Sequence, residues 1–271
     1  MAMQSEQLAV EFAVVAGQPL LLDFYRPATE KKCPLIVWVH GGAWRAGSRK
    51  SVPIRNLVNS GYAVASVDYR LSPVAKFPAQ IHDIKAAIRF LRANAEAYNI
   101  DAGEITVAGA SAGGHLAALV GVTNGNPMLE GTVGKHAGVS SDVQRAISFY
   151  GASNLESILP QSTPHGLSVR VPALNLLLGG QPEDHRDLAR LASPVTHVDP
   201  SDPPLLLIHG DQDPQMPINQ THELHGKYRE QKLPVHFEVL HGAAHGGKRF
   251  YEPKVLDGVS GWLRTGRWSE D

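Results

Sequence analysis

The stretch Ile105-Thr106-Val107-Ala108-Gly109-Ala110-Ser111-Ala112-Gly113-Gly114-His115-Leu116-Ala117-Ala118 decides how the chain folds. Its first four residues are β-branched or small, as in a buried strand, and its last five suit a helix. A serine set between strand end and helix start requires a very tight turn. Glycines two positions either side, Gly109 and Gly113, let the backbone make that turn and let the helix approach. Gly113, Ala117 and Gly121 fall four apart on one helical face, a pattern built for close packing. The helix start directs free N–H groups and the positive end of its dipole toward Ser111.

Working outward, further apolar runs end in glycine or polar residues. They are Leu35–Val39, Ala63–Val67, Arg145–Tyr150, Leu205–His209 and Val235–Leu240. Continuous runs of this length are what a sheet covered on both faces demands. Leu8–Val15 and Pro19–Tyr25 predict an opening hairpin around Gly17. Between the runs lie helical patterns. Ile81, Ile84, Ile88, Leu91, Ala95 and Tyr98 recur every three or four residues, with Lys85, Arg89 and Arg92 on the opposite, solvated side. Val255, Leu256, Val259, Trp262 and Leu263 repeat the pattern near the C-terminus. Strands alternating with helices predict an α/β protein with a doubly wound, mostly parallel sheet.

Residues 151–204 break the rhythm with 8 of the 19 prolines, and 151–180 carry only Glu156 and Arg170 as charges. Leucines crowd the same stretch. An excursion this long between strands reads as a small cap or lid over residues 1–271 taken as one domain. Its uncharged, leucine-rich character predicts a roof for a neutral, apolar substrate group.

Composition excludes several classes of function. Hydrophobic residues make up 43% of the 271, enough for a large core. Lys+Arg 25 against Asp+Glu 26 leaves no cationic excess to attract nucleic acid or anionic lipid. No run approaches the roughly 18–20 apolar residues of a membrane span. The single cysteine, Cys33, cannot form an internal disulfide and reads as a small buried hydrophobe. The start shows no signal peptide, so the default location is cytoplasmic. Met3 so close to Met1 leaves room for added residues and a removed leader, which keeps secretion open. A homodimer also stays open.

Two more segments carry chemistry. His40-Gly41-Gly42-Ala43-Trp44 follows the strand Leu35–Val39, and its glycines free backbone N–H groups to face a cavity. Such donors can hold the oxyanion of a tetrahedral intermediate, a contribution of roughly 3–4 kcal/mol each. His40 and Trp44 themselves read as structural. Beyond the last two strands come His209-Gly210-Asp211-Gln212-Asp213-Pro214-Gln215-Met216-Pro217 and His241-Gly242-Ala243-Ala244-His245-Gly246. Serine is a poor nucleophile without an imidazole to take its proton and a carboxylate to orient that imidazole. Two acids and two histidines compete for those roles. The thirteen histidines invite a metal reading, but His241 and His245 lie among glycines rather than on a helix beside a glutamate, so no metal is expected. Asp68, Tyr69 and Arg70 read as loop bridges, and Asp83 as a first-turn helix acid.

The order of these segments resembles α/β-hydrolases of the hormone-sensitive-lipase-like carboxylesterase group, and more closely bacterial esterases related to feruloyl and acetyl-xylan esterases. The resemblance is carried by His40–Trp44, Val67–Ser72, Phe77-Pro78, Gly109–Ala118, His209–Pro217 and Gly242–Gly246. It departs at Ala43, where a third glycine is common, and at Met216, where valine is usual. It implies Ser111 as nucleophile, Asp213 rather than Asp211 as acid, and His245 rather than His241 as base. The N–H groups of Gly42, Ala43 and Ala112 then form the oxyanion hole, with no cofactor. The implied activity is hydrolysis of short-chain or small neutral acyl esters, including acetylated or feruloylated sugars. An arylformamidase-like amidase and a non-catalytic ligand-binding homologue are the alternatives.

Overall fold

The computed structural model describes residues 5–268. Strands β1 (Ser5–Val15) and β2 (Gln18–Arg26) form the expected hairpin, closed by Ala16 and Gly17, both at positive φ. Strand β3 (Cys33–Val39) and β4 (Ala63–Val67) follow, then α1 (Ala79–Ala93), α2 (Ala95–Tyr98) and β5 (Ile100–Ala110). Next come α3 (Ala112–Gly121), α4 (Pro127–Glu130) and β6 (Arg145–Phe149). The proline-rich stretch holds α5 (Ile158–Gln161), α6 (Pro164–Leu178) and α7 (Arg186–Leu191). The chain ends with β7 (Leu205–Gly210), α8 (Asn219–Glu230), β8 (Val235–Leu240) and α9 (Pro253–Thr265).

The sheet order is β1-β2-β4-β3-β5-β6-β7-β8, antiparallel as far as the β2–β4 pairing and parallel from β4 to β8. Both faces are covered, as the unbroken apolar runs require. In β3, Leu35, Val37 and Val39 join the core beneath α1 and α3, while Ile36 and Trp38 join the core beneath α9. The parallel strands therefore all release their C-terminal ends along one edge, where ligand sites of open α/β sheets form. Four of those ends, after Val39, Ala110, Gly210 and Leu240, lead into the loops that hold the candidate residues.

The structure corrects two sequence readings. The helix expected to run to Tyr98 stops at Asn94 and restarts for one turn. The face expected to be solvated is also covered: Lys85 and Arg89 are fully buried. Residues 123–133 lie over them, and both cations converge on Glu130, at 3.1 Å from Lys85 and 2.5 Å from Arg89. Carbonyl oxygens of Thr123 and Val133 accept a further hydrogen bond from Lys85 and from Arg89 respectively. Burying charges costs several kcal/mol each unless they are paired and hydrogen-bonded, and this arrangement supplies both. Asp83, likewise buried, is held bidentately by Arg70.

The leucine-rich stretch also behaves differently from a roof. Leu155, Ile158, Leu174, Leu177 and Leu178 are all buried in the core that contains α1 and α3. These five side chains are turned inward while Val171 is exposed, and the segment meets the site from the flank.

Candidate active site

Ser111 sits at the turn between β5 and α3 with φ +55° and ψ −118°. That conformation costs a non-glycine residue roughly 1–3 kcal/mol and is held by its surroundings. The Ser111 N–H donates to the Phe149 carbonyl at 2.9 Å, and the Ser111 carbonyl accepts from the His115 N–H at 2.9 Å. Gly113 is what lets α3 come so close: a Cβ there would overlap the carbonyl oxygens of Val39 and His40. Any side chain at this position would push the helix, and Ser111 before its start, away from β3.

The imidazole of His245 lies between the serine and an acid. Its Nε2 is 2.9 Å from Ser111 Oγ, and its Nδ1 is 2.7 Å from Asp213 Oδ2. A carboxylate oxygen only accepts, so Nδ1 carries the proton and the Nε2 lone pair faces the hydroxyl. This is the tautomer a general base needs. Tyr150, at the end of β6, meets the His245 ring edge-on, with centroids 4.9 Å apart. Asp211 and His241, the other acid and histidine, pair with each other at 2.8 Å on the surface, and Asp211 also caps the Gly242 N–H.

Asp213 is buried and fully engaged. Oδ1 accepts from the N–H groups of Gln215 and Met216, both at 2.8 Å. Oδ2 accepts from His245 and, at 3.3 Å, from Nε2 of His209. Burial alone would raise this carboxyl's pKa; the hydrogen bonds from His209 and His245 outweigh it and hold the group well below the ordinary carboxylate range.

His209 is a residue that sequence reasoning placed only within a motif. Its Nε2 faces two acceptors, the Met216 carbonyl at 3.1 Å and Asp213, so Nε2 is protonated; Nδ1 lies 2.6 Å from the Thr221 hydroxyl. Arg170 is the other such residue. Buried on α6, it donates from Nη2 to the Gln215 carbonyl at 3.1 Å. Burial pushes its pKa down to about 10, with nearby Asp213 countering the shift. Thr163 holds the Pro214 carbonyl at 2.5 Å. Three successive carbonyls of the acid loop, 214 to 216, are therefore fixed by Thr163, Arg170 and His209. Segment 151–204 buttresses the acid loop. Position 170, one charge in a charge-poor run, was the signal available in the sequence.

The backbone at Gly42, Ala43 and Trp44 runs at positive φ, 114°, 51° and 59°. Gly42 has no alternative here, because a Cβ would overlap the Ala46 carbonyl. Ala43 tolerates the left-handed conformation at a modest cost. Ala112 is the first residue of α3, where helix N–H groups have no intrahelical partner. The loop is anchored by Trp44, whose buried indole N–H donates to His115 Nδ1 at 3.0 Å, while His115 Nε2 donates to the Ala192 carbonyl at 2.6 Å. His40, stacked on Tyr69, has Nδ1 2.7 Å from the Gly41 carbonyl.

This anchor predicts a pH effect on stability. His115 is fully buried, and burial pushes its pKa down to about 4. Protonating Nδ1 would set its new N–H against the Trp44 N–H. The unfolded chain takes up this proton at the ordinary histidine pKa, so the stability of the neutral form is complete above about pH 6.5 and is lost as pH falls through 4. The loss amounts to about 3 kcal/mol. Urea unfolding of wild type and His115→Gln between neutral pH and pH 4.5 should show a clearly shallower fall for the variant. Parallel falls in the two proteins would remove His115 as the cause.

A cavity of about 630 Å³ opens over Ser111 and His245. Its walls come from the end of β3 and the following loop (Trp38, His40–Ala43, Arg45–Gly47, Ser51, Pro53), Tyr150, Gln215 and Tyr251. None of the lining residues belongs to 151–204. Arg45 is the one charged residue in this lining. Among the described residues no group of three His, Cys, Asp or Glu side chains is placed to hold a metal ion, and no helix is long and apolar enough to cross a membrane.

Esterase LipC of Mycobacterium tuberculosis is 33% identical over 232 residues, covering 83% of this chain and 56% of that protein. The chain spans about half the length of the curated relatives it matches. A truncated carbohydrate esterase from gut microbiota superposes with a TM-score of 0.86 at 30% identity, covering 96% of this chain and 95% of that one. A thermophilic esterase of the Planctomycetes species Thermogutta terrifontis, with propionate bound, gives 0.77 at 25% identity, covering 94% and 93%. These neighbours share the α/β-hydrolase fold. The BD-FAE family model matches residues 22–228, and the chain belongs to that family.

Proposed function

We propose that the protein is a serine carboxylesterase that hydrolyses esters of short or small neutral acyl groups through an acyl-enzyme. One observation carries this reading: the hydrogen-bonded series Asp213–His245–Ser111, with the free imidazole lone pair on the serine, beside a loop held at positive φ. Ser111 Oγ attacks the ester carbonyl as His245 Nε2 takes its proton. The N–H groups of Gly42, Ala43 and Ala112 hold the oxyanion, and Asp213 supports the imidazolium that forms. His245 returns the proton to the departing alcohol. Water then enters by the same route, giving its proton to His245 and releasing the acid and Ser111.

The esterase names of the relatives support the reaction class, and the propionate bound by the Thermogutta terrifontis enzyme and the carbohydrate esterase from gut microbiota support a short acyl group on a sugar. The cavity volume suits a molecule of that size. Acetylated or feruloylated sugars are therefore the first substrates to try.

The test is a series of p-nitrophenyl esters of increasing acyl length against N-formylkynurenine, together with labelling by a fluorophosphonate. We expect turnover of the acetyl to butyryl esters, decline with longer chains, and covalent labelling at Ser111. Preference for N-formylkynurenine would replace the reading with an amidase. Absence of both turnover and labelling would make the protein a ligand binder.

A further inference from the structure

We infer that the preferred substrate carries an ionised carboxylate on its alcohol portion, held by Arg45. The inference rests on the esterase reading above, which reserves the acyl side for a short neutral group.

Arg45 follows the oxyanion loop directly and is half-buried in the cavity wall. Among the described residues nothing pairs with its guanidinium, neither an acid, a carbonyl nor an aromatic face. Neighbouring cations are treated differently by the fold: Arg49 is held by Asp23 and Asp68, and Arg70 by Asp83. The cavity lining contains no aspartate or glutamate, so Arg45 is its one formal charge. Asp213 lies behind His245 with all its capacity used.

Most other polar groups of the wall are also spent. The Trp38 indole N–H donates to the Ser51 carbonyl at 2.8 Å, and the hydroxyls of Tyr150 and Tyr251 bond to each other at 2.7 Å. What remains unspent, apart from the oxyanion donors, is the five-donor guanidinium fork, the side chains of Gln215 and Ser51, the second ring nitrogen of His40 and one hydroxyl proton of the Tyr150–Tyr251 pair. A donor-rich, positively charged wall without a counter-ion complements a planar, doubly accepting anion, which a carboxylate is. A neutral alkyl group at the same place would leave a half-desolvated guanidinium unpaired.

The reaction itself is unchanged: the acyl group passes to Ser111 Oγ, the hydroxy acid leaves with the His245 proton, and water releases the acyl group. Arg45 acts as a specificity residue, binding the part of the substrate that departs first.

The experiment compares two acetate esters of matching shape, acetylated β-hydroxypropanoate and isoamyl acetate, in which a carboxylate replaces an isopropyl group. At neutral pH and low salt, wild-type kcat/KM should favour the charged ester by on the order of 10- to 100-fold, expressed in KM. In Arg45→Gln that ratio should collapse to near one, and in Arg45→Glu it should invert, with Ser111 still titratable by fluorophosphonate in both. Added salt should lower the wild-type ratio. A wild-type ratio at or below one, or a ratio unaltered in both variants, overturns the inference while leaving the esterase reading intact. Turnover of neither ester removes the esterase reading, and the inference with it.

Discussion

Ser111→Ala should lower kcat on a short-chain p-nitrophenyl ester by about 10⁵- to 10⁶-fold. The hydroxyl is the group proposed to attack: its Oγ is 2.9 Å from His245 Nε2, and both residues line the cavity. With it gone, the imidazole can only activate a water that has no fixed position. The N–H groups proposed to hold the oxyanion remain and should leave a residual acceleration of roughly 10³-fold over the uncatalysed reaction. The fold should be indifferent to the change. Ser111 holds its strained backbone through its own N–H and carbonyl, and both bonds survive in alanine. Thermal unfolding within about 2 °C of wild type, together with loss of turnover and of phosphonate labelling, is the expected pair of results. A folded alanine variant that retains a tenth of the activity would mean that another group attacks.

Much of this arrangement was legible because it is local. A turn that must present a serine needs glycines at fixed offsets, and a buried strand needs an unbroken apolar run; residues 105–118 contain both signals side by side. The four loops that meet over the cavity follow from parallel topology alone, since parallel strands end on one edge. What escaped was decided at long range. Lys85 and Arg89 carry the spacing of a solvated face, and only Glu130, some forty residues on, converts them into a buried cluster. Leu155, Leu174, Leu177 and Leu178 carry no sign of which way they face, and they face the core. Arg170 and His209 act on carbonyl oxygens, which every residue has, so no motif could name their partners. The choice between Asp211 and Asp213 lay in between. The residues alone left it open and the resemblance decided it; the structure then puts Asp211 against the exposed His241 and Asp213 against His245.

That difference sets the second large effect. Asp213→Asn should lower kcat about 10⁴-fold, and should lower the unfolding temperature as well because its NH₂ also meets the buried His209 N–H. The side-chain oxygen of asparagine would go on accepting from the Gln215 and Met216 N–H groups, because no other partner can satisfy them there. Its NH₂ is then forced to face Nδ1 of His245, and two donors cannot share that contact. The imidazole must turn to the other tautomer, placing N–H against the Ser111 hydroxyl, where it can no longer take a proton. The defect is one of protonation, so part of the lost rate should return at alkaline pH as the serine itself begins to ionise. Asp211→Asn offers the contrast. Its oxygen can still cap the Gly242 N–H, its other partner is an exposed histidine, and neither touches the cavity. Activity within about threefold of wild type is expected, by analogy with surface ion pairs of little net value. Measured side by side on one ester, the two asparagine variants differ by three orders of magnitude or more if Asp213 orients the base. Equal losses, or the larger loss at position 211, would show that a carboxylate other than Asp213 sets the tautomer.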